Sequence, residues 1–112
     1  MSGYERLRRS SDFERIKHEG RLLKGSLMLI RLAPGLEGIT RVGYIVSKKN
    51  GNAVVRNRIK RMFRAAARGA SCLPSGYDMV IIPRSAILQE GMKTDKVAQE
   101  LEKLLVQRRA GS

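Results

Sequence analysis

The sequence predicts one α/β domain with its elements in the order α-β-β-α-β-α, and three observations predict it. The apolar runs 26–33 and 76–82 and the alternating run 40–47 have the length and patterning of strands. A helix-period segment from Asn52 to Arg68 separates the run 40–47 from the run 76–82, an order that suggests a crossover unit with parallel neighbours. A chain of 112 residues with 42% hydrophobic content supports a single modest core, so residues 1–112 form one domain.

Each element follows from its residues. Ser11-Asp-Phe-Glu14 has the spacing of a capping box, which predicts a short helix from Asp12 to Glu19, ended by Gly20. Residues 26–33 are too short and too apolar for a surface helix and read as a strand buried on much of both faces. Pro34-Gly-Leu-Glu-Gly38 turns the chain into Thr40–Ser47, with Val42, Tyr44 and Val46 on one face, and the two strands are expected to form an antiparallel hairpin. In the next helix Val55, Ile59, Met62, Phe63 and Ala66 share one side, opposite Asn57, Lys60, Arg61, Arg64 and Arg68. Asn52 serves as its N-cap and Gly69 stops it. After a loop with Cys72 and Pro74, Gly76–Ile82 forms the third strand, closed by Pro83. Residues 84–93 are a loop, and Thr94 opens a last helix with Val97, Leu101, Leu104 and Leu105 on one face. Asp95 at its start and Arg108 and Arg109 at its end suit the helix dipole.

Charge narrows the function. The net charge is +13 and the pI about 10.9, and no acidic residue occurs between Glu37 and Asp78, a gap that holds nine of the 23 Lys and Arg. Such uncompensated charge fits an extended polyanion. Cys72 is the only cysteine and His18 the only histidine, so an intramolecular disulfide and a Cys/His zinc site are excluded. The acids are too dispersed for a carboxylate metal cluster, and no nucleophile, base and orienting acid can be assembled. Catalysis by this chain alone is not expected. No apolar run reaches the roughly 20 residues of a membrane span, and the N-terminus lacks the apolar core of a signal peptide, so a soluble, cytoplasmic protein is expected.

The helix at 52–68 carries cations without acids, so its neighbours repel by a few tenths of a kcal/mol per pair, a cost that implies a ligand. Arg56, Arg58, Arg61 and Arg64 have planar forks that match phosphates and stack on bases, whereas Lys48, Lys49 and Lys60 act as mobile point charges. Gly51 and Asn52 either present helix N-terminal amides to a phosphate or simply turn the chain. The spacing is not that of a nucleotide-binding P-loop. Phe13 either pins the first helix to the sheet or offers a stacking platform worth roughly 1–3 kcal/mol to an unpaired base. Tyr44 and Phe63 read as core, Tyr4 and Tyr77 are open, and His18 faces solvent.

With these residues laid out, the chain resembles the protein subunits of bacterial ribonuclease P. The resemblance rests on Arg41-Val-Gly-Tyr-Ile-Val-Ser-Lys-Lys49, Gly51-Asn-Ala-Val54 and Arg56-Asn-Arg-Ile-Lys-Arg61, supported by Asp12-Phe13 with Gly20 upstream and by Tyr77-Asp78, Ile82 and Arg84 downstream. It covers residues 6–108. It implies an α+β two-layer sandwich of the ribosomal protein S5 domain 2-like fold with a left-handed crossover, against the usual right-handed preference. It also implies an accessory to a catalytic RNA that removes the 5′ leader of precursor tRNA, with Mg2+ held mainly by the RNA, no organic cofactor and no required protein partner. Carried over, Lys48, Lys49, Gly51, Asn52, Arg56, Asn57, Arg58, Lys60, Arg61 and Arg64 would contact ribonuclease P RNA. Phe13, Lys17, Ile30, Ser47 and Lys48 would contact the leader. Lys17 and Ile30 stand where the family often has aromatics, which implies less stacking and more charge in leader capture.

Three other readings compete. A ribosomal or general RNA-binding protein fits the length and charge but does not predict the order of the Lys-Lys, Gly-Asn and Arg-Asn-Arg elements. A DNA-binding module lacks the paired-helix or zinc context of such modules. An intrinsic nuclease would show activity without RNA.

Overall fold

The computed structural model describes residues 4–110, with side chains described to Arg108. The chain runs through β1 (Glu5–Arg6), α1 (Ser10–Glu19), β2 (Arg21–Lys24), β3 (Met28–Pro34), β4 (Arg41–Tyr44), a 3-10 turn (Lys48–Asn50), α2 (Ala53–Gly69), β5 (Tyr77–Pro83), a second 3-10 turn (Ser85–Leu88) and α3 (Thr94–Ala110). The five strands form one mixed sheet in the order β1-β4-β5-β3-β2. β5 is central because Met79, Val80 and Ile81 are apolar without interruption and can be buried on both faces. It pairs in parallel with β4 and antiparallel with β3.

This topology confirms the parallel crossover through α2 and corrects the expected hairpin. The strands at 26–33 and 40–47 are not neighbours, because β5 lies between them. β3 instead pairs antiparallel with β2, a short strand that the sequence reading left out, and β4 has β1 on its other edge. The first helix also starts earlier than expected. Its N-cap is Arg9, with no side-chain cap, so Ser11 does not form the expected capping box with Glu14. Asp12, inside the first turn, is drawn into ion pairs with Arg15 and Arg41.

α2 and α3 cover one face of the sheet. Met28, Ile30, Leu32, Val42, Met79 and Ile81 meet Ile59, Met62, Phe63, Val97, Leu101 and Leu105 there in the main core. On the other face α1 lies alone, held by Ile16 against Ala33, Val80 and Leu7. The expected buried faces of both long helices are thus correct. The Arg109 side chain lies outside the described residues, and Arg108 places its guanidinium 5.4 Å from the centre of the Tyr77 ring.

The acids hold this frame together. Glu100 of α3 accepts the backbone amides of Ser26, Leu27 and Met28 at 3.0, 2.8 and 3.1 Å, and so ties α3 to the β2–β3 turn. Glu102 accepts the Ser71 amide at 2.7 Å and the Cys72 thiol at 3.2 Å. The Ser71 amide holds the Glu102 carboxyl below its ordinary value of 4.5 against the opposing effect of burial. A depressed folded-state value means that Glu102 stabilises the fold above the unfolded value and loses that contribution as pH falls through the folded one. Glu102→Gln is therefore expected to be less stable than the parent near neutrality, with the gap closing below pH ~4. Urea unfolding at several pH values measures it, and a gap independent of pH refutes it.

Candidate nucleic-acid interface

Two contacts place Phe13. Ile16, one turn further along α1, is fully buried and sets the helix on the sheet. The tip of the Phe13 ring rests over Gly43, where a Cβ would stand 2.6 Å from Cζ and 2.8 Å from Cε1. Any side chain at position 43 would displace the ring. Phe13 is half-buried, so it both packs against the small cluster under α1 and lines open surface.

That surface divides into two hollows that share Phe13. The first, of about 350 Å³, has Ile16, Ile45, Val80 and Ile82 as its apolar lining, with Glu14, Lys17 and Arg31 as its charged groups. Lys17 thus lies on this surface. Ile30 does not, because alternate residues of a strand face opposite sides: Ile30 is fully buried in the main core, and its neighbour Arg31 faces α1. Ile30, expected at this surface, therefore has no exposed side chain to offer there, and Arg31 holds the lining position beside it. The second hollow, of about 390 Å³, is lined by Arg6, Leu7, Arg8, Phe13, Gly43, Tyr44, Lys60 and Arg64. Two cations of α2 therefore stand beside Phe13.

Tyr44 closes the sheet side of the second hollow. Its ring stacks on Phe63, with centroids 6.0 Å apart and planes at 21°. Burial, with help from the Tyr4 hydroxyl 3.4 Å away, pushes its phenol up, so Tyr44 stays neutral beside Arg64 and Arg6.

The entrance to α2 is built as a tight turn. The Ser47 amide donates to Asn50 Oδ1 at 2.9 Å, and the Asn50 amide donates back to the Ser47 carbonyl at 2.9 Å. Gly51 follows with φ +129°, a conformation open to glycine, and a Cβ there would crowd Val55 at 2.9 Å. Asn52 caps α2 as expected, accepting the Val55 amide at 3.0 Å. Ser47, Lys48, Lys49 and Asn52 are exposed. Ser47 and Lys48 follow Ile45 of the first hollow by two and three residues without lining it.

Beyond this turn, Asn57, Arg61 and Arg68 run along the crest of α2 and are exposed. Arg56 is half-buried, and its Nε is buried without a hydrogen-bond partner. Arg58 donates to the Met92 carbonyl at 3.2 Å. With Arg61, Met62, Ala65, Met92, Lys93 and Thr94 it lines a third hollow of about 550 Å³ on the far side of the helix. Among the described residues, every ion pair lies in α1, β4 or β5, and none involves a cation of α2. His18 is one of those paired groups, exposed and 3.7 Å from Glu14.

One feature at the base of α1 had escaped sequence reasoning. Asp78 is fully buried and receives Arg41 Nε on Oδ1 at 2.8 Å and Arg41 Nη2 on Oδ2 at 2.7 Å, while Arg15 also donates to Oδ2. Arg15 reaches on to the Pro34 carbonyl at 2.9 Å. The signal was available: a lone acid opens an apolar strand, and Arg41 stands opposite it in register. Among the described residues no group of three or more His, Cys, Asp or Glu side chains is placed to hold a metal ion, and no helix is long and apolar enough to cross a membrane.

The family model for ribonuclease P matches residues 1–109 of this chain. The chain belongs to the ribonuclease P protein family. The ribonuclease P protein component of Roseiflexus castenholzii is 41% identical over 86 residues, covering 76% of this chain and 70% of the relative. That of Caldanaerobacter subterraneus subsp. tengcongensis is 35% identical over 101 residues, covering 89% and 85%. The solved ribonuclease P protein of Thermotoga maritima superposes with a TM-score of 0.82 at 33% identity, over 90% of this chain and 94% of that one. The Staphylococcus aureus protein gives 0.76 at 28% identity, over 95% and 96%. The α/β fold read from the sequence is therefore the ribonuclease P protein fold. Membership makes the chain the protein component of a tRNA-processing ribonucleoprotein whose catalysis is carried by RNA.

Proposed function

We propose that this ribonuclease P protein binds the catalytic RNA through α2 and its entrance turn, and the 5′ leader of precursor tRNA through the Phe13 cleft. The observation that carries the reading is a half-buried aromatic over an apolar floor, with Lys17 and Arg31 at its edge, joined to a helix whose cations have no acidic partner among the described residues. Lys48, Lys49, Gly51, Asn52, Arg56, Asn57, Arg58, Lys60, Arg61 and Arg64 supply the RNA-facing helix and turn. Phe13 stacks on a leader base, Lys17 and Arg31 meet its phosphates, and Ser47 and Lys48 stand at the mouth. Ile30 supports the floor from the opposite face. Mg2+ is held mainly by the RNA, and the protein's cations raise substrate affinity around it. The work takes place in the cytoplasm and requires no protein partner.

Reconstitution with a bacterial ribonuclease P RNA at low magnesium tests this. The protein is expected to stimulate leader cleavage, and failure to do so overturns the reading. Phe13→Ala is expected to weaken binding of precursor tRNA roughly tenfold, the effect of one lost stacking contact, and to leave mature tRNA unaffected. Equal losses for both ligands would remove Phe13 from the leader site.

A further inference from the structure

Helical geometry spreads the cations of α2 from one flank, with Lys60 and Arg64, over the crest, with Arg61, to the opposite flank, with Arg58. Lys60 and Arg64, four residues apart, share a face and both line the hollow beside Phe13 together with Arg6 and Arg8. Arg58 and Arg61 line the hollow beside Lys93 on the other side. At 100° per residue, Lys60 and Arg58 project about 160° apart, separated by a helix whose diameter with side chains is about 10 Å. A strand that engages Lys60 therefore lies on the other side of the helix from one that engages Arg58.

We infer that α2 stands between two RNA strands, and that Lys60 and Arg64, with Arg6 and Arg8, grip the substrate leader rather than the catalytic RNA. Phe13 lines both the Lys17 and Arg31 hollow and the Lys60 and Arg64 hollow, so the two adjoin at its ring. A strand stacked on Phe13 passes directly into the second hollow. Four cations and no carboxylate line that hollow, and its one phenol, on Tyr44, is held neutral by burial. This is a phosphate track of the kind that single-stranded nucleic acids follow next to an aromatic platform. The inference rests on the leader-cleft reading above. It changes that reading by moving two helix cations from one ligand to the other.

The test compares two double variants, Lys60→Ala/Arg64→Ala and Arg58→Ala/Arg61→Ala. Each is assayed for binding to ribonuclease P RNA alone and, in the reconstituted holoenzyme, for binding to precursor tRNA with a short or a long leader. Lys60→Ala/Arg64→Ala is expected to lower affinity for the long-leader precursor roughly tenfold while changing catalytic-RNA binding by less than about twofold. Arg58→Ala/Arg61→Ala is expected to do the reverse. The inference is overturned if Lys60→Ala/Arg64→Ala weakens catalytic-RNA binding as much as the other pair, or leaves the long-leader advantage intact. Phe13→Ala, run in parallel, separates the two levels. If it alone removes the leader advantage, the cleft stands and the track falls; if neither variant does, both fall. Charge-reversed Arg64→Glu, at an exposed position, checks that any loss follows charge rather than folding.

Discussion

Asp78→Ala is expected to lower the unfolding free energy by about 3 kcal/mol, the low end of the range for breaking a buried ion pair by removing one partner. The carboxylate is fully buried and accepts from both Arg41 and Arg15, which keep 19% and 31% side-chain exposure. Without it two guanidiniums crowd each other at the end of the sheet, with Asp12 left as their nearby acid. Arg15→Ala is expected to cost only about 1 kcal/mol, because Arg41 still pairs with Asp78 through two hydrogen bonds. Urea unfolding measures both. A cost for Asp78→Ala below that for Arg15→Ala would show that the network does not hold α1 to the sheet. Because α1 carries Phe13 and Lys17, Asp78→Ala should also weaken leader binding without touching the ligand.

Replacing Arg58, Arg61 and Arg68 with Gln is expected to reduce affinity for the catalytic RNA by about 100- to 1000-fold at moderate salt. It should also lower the slope of log affinity against log salt by roughly 2 to 3 units, one counterion equivalent per lost phosphate contact. The three residues are exposed and occupy one stripe of α2, and Gln keeps their length and helix propensity. Salt titrations of the parent and variant give the slopes. An unchanged slope would place the catalytic RNA on another surface.

The elements with strong periodicity were legible in the sequence. α2 and α3 bury the residues that their 3.6-residue pattern predicts, and Asn52 caps α2. β1 and β2 were not legible, since strands of two and four residues carry no usable alternation. The mispaired hairpin came from chain adjacency, whereas the uninterrupted Met79-Val80-Ile81 run marks β5 as the strand that both β3 and β4 must flank. The lining of the cleft was not legible at single-residue scale. Ile30 and Arg31 are neighbours in a strand, and only the pairing register tells which one faces α1. The meeting of Lys60 and Arg64 with Phe13 depends on packing between distant segments, which no local pattern encodes.

The outer strands have a consequence for the free protein. β1 is an edge strand of two exposed residues, and β2 is an edge strand of four that begins with Arg21 and ends with Lys24, both exposed. Short edges that carry charged residues are poor templates for a second copy to extend the sheet. The surplus of positive charge that fits the chain to RNA thus also discourages ribbon-like self-association before any RNA is met, when the concentration of unbound subunit is highest.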